Sequence, residues 1–183
     1  MADGLFYNDA REPFCSADIT SVTLATTAKA LYPASNFPVL GGQYFARPGK
    51  GLRIRIFGRW TSDGTAGNGS FNVYYGSGAD AAGTILMTGT AVAYTVSQTN
   101  VSFMAEVDVT CRTTGSAGTL FCTGFVLLPA LTSGGVVMLP ATAPAVSGAV
   151  DLTAANIISV QALRSGAGVW TAQVHQMQVI ALN

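Results

Sequence analysis

Asn100-Val-Ser-Phe-Met-Ala-Glu-Val-Asp-Val-Thr110 is the stretch that decides the fold. Val101, Phe103, Ala105, Val107 and Val109 fall on one side. Ser102, Met104, Glu106, Asp108 and Thr110 fall on the other. Successive side chains of a strand point to opposite faces. A period of two with one polar side therefore predicts an antiparallel strand, half buried, whose second face is wet or meets a partner. The strand continues through Cys111-Arg112, turns at Thr-Thr-Gly-Ser-Ala-Gly, and returns as Thr119–Leu128. Folding this hairpin symmetrically sets Cys111 opposite Cys122, Val109 opposite Gly124 and Val107 opposite Val126, all on the apolar face. The chain has three cysteines, an odd number, and no two at metal-site spacing. The Cys111/Cys122 pair is read as two small buried hydrophobes in preference to a disulfide.

Working outward, the same grammar recurs. Leu52, Ile54 and Ile56 alternate with Arg53, Arg55 and Phe57. Ile19–Thr26, Phe37–Phe45 (with a bend expected at Gly41-Gly42), the run holding Phe71, Val73 and Tyr75, Ile85–Tyr94, Gly135–Leu139, Ile157–Leu163 and Trp170–Leu182 are further strand candidates. Thr61–Ser70 and Gly76–Gly83 are Gly-rich loops, and Asp151–Asn156 is a loop or one helical turn. Nine or ten short strands, no long helix and no fixed repeat predict an all-β, antiparallel jelly-roll-like β-sandwich over residues 18–183. Residues 1–17 (MADGLFYNDAREPFCSA) lack any period and are read as an N-terminal arm. Its Leu5, Phe6, Tyr7 and Phe14 are costly to leave in water and suit docking.

Composition narrows the function. Of 183 residues 49% are hydrophobic and only 10% charged, against about 25% in ordinary soluble domains. Nine basic and nine acidic residues cancel, so neither a nucleic-acid footprint nor a polybasic membrane patch is present. Mean hydropathy is +0.40, yet no apolar run reaches the roughly 18 residues of a spanning helix. The best one, Phe121–Leu131, is broken by Gly124 and Pro129. Met1-Ala-Asp-Gly does not open a secretory signal, so synthesis in a cytoplasm is expected.

Chemistry is sparse. His175 is the single histidine, and no acid lies within about twenty positions before it or anywhere after it. It is read as a structural or interface residue, because a triad needs a base with an orienting acid. Glu106 and Asp108, about 7 Å apart at Cα along one strand face, cannot flank a sugar from two sides. They are expected to meet Arg53, Arg55, Arg59 or Arg112 across strands or across a subunit contact. The loops at Asp63 and Asp80 offer too few carboxylates for calcium. Gly76-Ser-Gly-Ala-Asp has no helix behind it to cradle phosphate. Trp60, Tyr74, Tyr75, Tyr94 and Trp170 read as core and interface residues before a sugar-stacking platform. No catalytic activity, metal or cofactor is expected.

Several strings follow one another in an ordered series: Leu52-Arg-Ile-Arg-Ile-Phe-Gly-Arg-Trp60, a Gly-rich loop, Phe71-Asn-Val-Tyr-Tyr-Gly76, Thr99-Asn-Val-Ser-Phe103, Glu106-Val-Asp-Val-Thr-Cys-Arg112, Ala141-Thr-Ala-Pro-Ala-Val146, Thr153-Ala-Ala-Asn156 and Val174-His-Gln-Met-Gln-Val-Ile-Ala-Leu-Asn183. Over roughly residues 45–183 this series resembles a group of small virion proteins of tailed bacteriophages with a jelly-roll-like fold. The resemblance implies a head decoration (cement) protein made in the host bacterial cytoplasm. It implies a homotrimer on the capsid surface whose partners are its own copies and the major capsid protein. The candidate interface residues are Leu5, Phe6, Tyr7, Phe14, Arg53, Arg55, Glu106, Asp108 and His175. The alternative is a tail- or fibre-associated module that binds host glycans through Trp60, Tyr74, Tyr75 or Trp170. A small cupin-like or hydrolase enzyme is the weakest reading.

Overall fold

A computed structural model describes residues 19–132 and 135–182. Eleven strands follow in chain order: β1 (Val22–Thr23), β2 (Lys29–Ala30), β3 (Gly51–Ser62), β4 (Asn68–Gly76), β5 (Thr84–Thr88), β6 (Val92–Ala93), β7 (Gln98–Thr113), β8 (Thr119–Leu127), β9 (Val136–Leu139), β10 (Ile157–Ser165) and β11 (Trp170–Ala181). A three-residue 3₁₀ turn, Ala34–Asn36, is the only helical element among the described residues.

The strands form two antiparallel sheets. One has the order β1-β11-β3-β7-β8-β9. The other runs β2-β10-β4-β5, with β6 also on β4. The first strand pairs with the last, the second with the last but one, β3 with β7, and β4 with β5. That nesting is a long hairpin rolled into two layers, the jelly roll, here lengthened by the β8–β9 meander beyond β7. The sandwich expected from the strand pattern is therefore the fold. The N-terminal arm, with Leu5, Phe6, Tyr7 and Phe14, lies outside the described residues.

Alternation decides which side of each strand is buried. Leu52, Ile54 and Ile56 of β3 and Ala105, Val107 and Val109 of β7 point into the space between the sheets. From the facing sheet come Phe71, Val73 and Tyr75 of β4 and Ile158, Val160 and Ala162 of β10. An aromatic cluster ties the layers together. Trp60 stacks on Tyr94 at 4.8 Å between ring centroids, and Tyr94 lies 4.8 Å from Trp170. Phe71 and Phe103 close on Trp60 at 6.1 and 6.4 Å.

Several boundaries differ from the sequence pattern for local reasons. Phe37–Phe45 makes only an isolated bridge, Leu40 to Asn156, before turning. Lys29–Ala30, too short to show a period, is a strand. Ile19–Thr26 contributes two strand residues. The Ile85–Tyr94 run splits at Gly89, where a Cβ would overlap the Phe71 carbonyl that the Gly89 N–H itself bonds at 2.8 Å. The Thr61–Ser70 loop is narrower, because β3 runs to Ser62 and β4 starts at Asn68. Asp151–Asn156 is a loop in which the Asp151 carboxylate accepts hydrogen bonds from the Thr153 N–H and hydroxyl.

The hairpin register is also corrected. Val109 faces Cys122, Val107 faces Gly124 and Cys111 faces Leu120, a slip of two residues from the symmetric fold. The ladder is irregular between Cys111 and Thr113, leaving Arg112 as an extra residue on β7. A slip of two keeps every side chain on its face, so both cysteines are buried, diagonal to each other, and free thiols. Burial pushes the Cys122 thiol up to about 12, far from the thiolate that reacts.

The outer face of the smaller sheet is covered over β10 by its own chain, while Ile85 on β5 is 45% exposed. Ser159 and Gln161 of β10 point away from the core yet are fully buried. The loop after β4 folds over them. Gln161 Oε1 accepts the Ala81 N–H at 2.8 Å, and Gln161 Nε2 donates to Ala79 O and Ser159 Oγ, each at 3.0 Å. Those bonds offset the cost of burying an amide.

The cluster makes a direct prediction. Trp60→Ala, which empties the inter-sheet contact, should cost about 3–5 kcal/mol. Phe57→Ala, on the outer face of the same strand, should cost far less. Urea midpoints of the two variants check this, and equal losses would contradict the assignment of faces.

Candidate functional site

The outer face of the six-stranded sheet has no such cover among the described residues. Register sets its side chains in three rows across the strands. Arg53 stands opposite Asp108, and Asp108 opposite Thr123. Arg55 stands opposite Glu106, followed by Phe125 and Met138. Phe57 stands opposite Met104, followed by Leu127 and Val136. The same period of two that sends Ile54, Val107, Val126 and Val137 inward sends these residues out.

The β3–β7 half of the face is ionic and internally matched. Arg53 donates from Nε and Nη2 to the two oxygens of Asp108, at 2.6 and 2.7 Å, and its Nε is 3.3 Å from Glu106 Oε1. Arg55 Nε donates to Glu106 Oε2 at 2.6 Å. The Asp108 hydrogen bonds hold Arg53 above even its ordinary pKa, against partial burial and with help from both carboxylates. Two positive and two negative side chains thus form a patch with no net charge. Of the four arginines named from the sequence, Arg53 and Arg55 meet the carboxylates. Arg59 instead donates to Gln173 Oε1, and Arg112 lies over the Phe121 ring at 4.6 Å.

The β8–β9 half is apolar. Leu127, Val136 and Met138 are 37%, 49% and 64% exposed, and Phe125 and Met104 beside them are half-buried. β9 ends the sheet, so this apolar row runs to a strand edge. Exposed edges with apolar residues are sites where another chain adds. The sequence pattern showed the outward side of β7 but not this row. Leu127, Val136 and Met138 come from two further strands, and only the β8–β9 register lines them up.

His175 stands apart. It sits where β11 bulges between Val174 and Gln176, with Gln178 facing Arg55 three residues further on. Gly58 makes room at this bulge, since a Cβ there would overlap the Gln173 carbonyl. The aromatic residues on which a glycan platform would depend are in the core. Trp60, Trp170 and Tyr94 are 0%, 1% and 3% exposed, and Tyr74 and Tyr75 are also buried. The platform reading of these residues is thereby corrected: all but Tyr74 belong to the apolar cluster between the sheets.

A shallow cleft of about 500 Å³ lies on the far side, between Val22–Thr23, Lys29–Ala34 and Gly78–Asp80. Asp80 accepts the Lys29 ammonium and the Ala30 N–H, each at 2.8 Å, and clips the loop after β4 to β2. Among the described residues no three His, Cys, Asp or Glu side chains gather, and no helix is long and apolar enough to cross a membrane.

The clip has a signed pH dependence. Burial opposes ionisation of Asp80, but the hydrogen bonds from Lys29 and Ala30 outweigh it and lower its pKa. Its stabilisation is present above the ordinary carboxyl pKa of about 4 and is lost as pH falls through the lowered folded value. Asp80→Asn should cost less than about 1 kcal/mol at pH 7, because the pair is exposed. Its denaturation curve should merge with that of the parent protein in acid. A constant difference across pH would contradict the clip.

Comparison of the chain with family models, with curated proteins and with solved structures returns no match.

Proposed function

We propose that this chain is a non-enzymatic structural subunit of a bacteriophage virion: a head decoration protein, made in the host cytoplasm, that binds the capsid surface as a homotrimer and stabilises it. The observation that carries the reading is the uncovered outer face of the six-stranded sheet. There the Phe57–Met104–Leu127–Val136 row and the Phe125–Met138 pair run to the open edge of β9. A contiguous apolar surface of this kind marks a site of protein contact.

Two further features support it. Only 10% of the chain is charged, which suits a surface hidden among copies and shell. The Arg53, Arg55, Glu106 and Asp108 patch next to the apolar row is self-neutralised. Copies can then approach without net repulsion, and the alternating charges favour one register over others. The resemblance of the ordered strings of residues 45–183 to phage virion proteins, read from the sequence, points the same way, with the major capsid protein as the partner proposed beneath.

Cryo-electron microscopy of particles containing the protein tests the proposal. Three-fold knobs on an icosahedral shell are expected. The double variant Leu127→Asp/Met138→Asp should fold with an unchanged urea midpoint yet leave the shell bare. Density confined to a tail or fibre, or full occupancy by the variant, would overturn it.

A further inference from the structure

β1 and β2 are end strands of the two sheets, and the shallow cleft lies against both, between Val22–Thr23 and Lys29–Ala34. In an antiparallel ladder alternate residues turn their N–H and C=O away from the paired strand. The Leu31 N–H bonds the Val160 carbonyl at 3.1 Å, so its neighbour Ala30 turns its backbone away from β10. The Leu24 N–H bonds the Trp170 carbonyl at 2.8 Å, and Thr23 is turned away from β11 in the same sense. Outward backbone groups of this kind are what a strand from another molecule pairs with.

At Ala30 that place is taken by Asp80. Its Oδ1 accepts the outward Ala30 N–H at 2.8 Å, the bond that the carbonyl of a next strand would make. Its Oδ2 accepts the Lys29 ammonium, also at 2.8 Å. The reach of this carboxylate is not a by-product of joining β4 to β5. β5 lies on the far side of β4 from β10, so a plain hairpin turn would stay clear of β2. Ser77–Gly83 instead folds back across β10 to the β2 edge. The fold-back needs glycine at its neck: Gly83 has a φ of 102°, and a Cβ there would lie 2.3 Å from the Tyr75 carbonyl oxygen. Ala81 carries a side chain at a φ of 50°, a conformation that L residues disfavour. It is held there by the bond from its N–H to Gln161 Oε1. A loop kept in a costly conformation and anchored on two neighbouring strands points to a role beyond connection.

We infer that Ser77–Gly83 is an edge guard, in which Asp80 stands in for the next strand at Ala30 and keeps a second copy of this chain from pairing with β2. The two-residue length of β2 and the charge of Lys29 act in the same direction, since short and lysine-bearing edges are poor templates. The contrast with the other sheet is plain. β9, at the end of the larger sheet, is Val-Val-Met-Leu and carries no charge. Contacts between copies are thereby steered away from the β1–β2 side of the sandwich. The inference stands whether or not the virion role holds.

Two substitutions separate the hydrogen bond from the charge. Asp80→Asn keeps an oxygen for the Ala30 N–H, and Asp80→Ala removes it. Amide exchange of the full-length protein at pH 7, read residue by residue, should find Ala30 protected in the parent and in Asp80→Asn. In Asp80→Ala it should exchange about tenfold faster or more, with Leu31 unchanged. Sedimentation equilibrium of Lys29→Ala/Asp80→Ala should show a species heavier than the parent at the same concentration, in which the Ala30 amide is slow again. Asp80→Asn should keep the mass of the parent. Unprotected exchange of Ala30 in the parent would overturn the proposal without recourse to any variant. A folded double variant that keeps the mass of the parent at every concentration, or a heavier species in which Ala30 stays fast, would overturn it as well.

Discussion

The pairing of β3 with β7 is the constraint on which the rest of the molecule depends. Its register puts Ile54 beside Val107 and Ile56 beside Ala105 on the inner face, with Arg53 beside Asp108 and Arg55 beside Glu106 on the outer. A slip of one residue would exchange the faces. Two guanidinium groups, if β3 slips, or two carboxylates, if β7 slips, would then enter an apolar layer, at a cost far above what any contact there returns. The ion pairs add little stability in themselves, since they are partly exposed. Their weight lies in excluding the wrong register.

Everything else is built against this pair. β11 lies on the free side of β3 and β8 on the free side of β7, which makes the larger sheet. The smaller sheet closes over the inner face, pinned by the Trp60–Tyr94–Trp170 cluster. The two outer faces then differ. That of the smaller sheet is covered over β10 by the loop whose Ala79 and Ala81 backbones bond Gln161. That of the larger sheet ends in Leu127, Val136 and Met138, exposed. This asymmetry between a lidded face and a bare one gives the sandwich a direction, and it is the physical ground for reading the bare face as an assembly surface.

The central ladder was legible in the sequence because β3, β7 and β11 are long enough to show a period of two. The Arg53/Arg55 and Glu106/Asp108 contacts follow from that period and from the sign of the charges. The hairpin register was not legible, because an extra residue at Arg112 leaves no mark in the alternation. Two-residue strands such as Lys29–Ala30 carry no period at all. The covering of Ser159 and Gln161 depends on a loop some eighty positions away, so polar residues in β10 read as wet when they are dry. The apolar row on β8 and β9 emerged only when the β8–β9 register was known. Trp60, Tyr74, Tyr75, Tyr94 and Trp170, read together as core and interface residues, are all buried, and large rings are worth more in a core than on a surface.

The central claim is that the bare face of the six-stranded sheet is buried between copies of this chain. Sedimentation equilibrium of the purified, full-length protein over a hundredfold dilution tests it most directly. The account predicts a species of three times the 18.8 kDa chain mass that persists on dilution. A chain that sediments as a monomer at every concentration would contradict it.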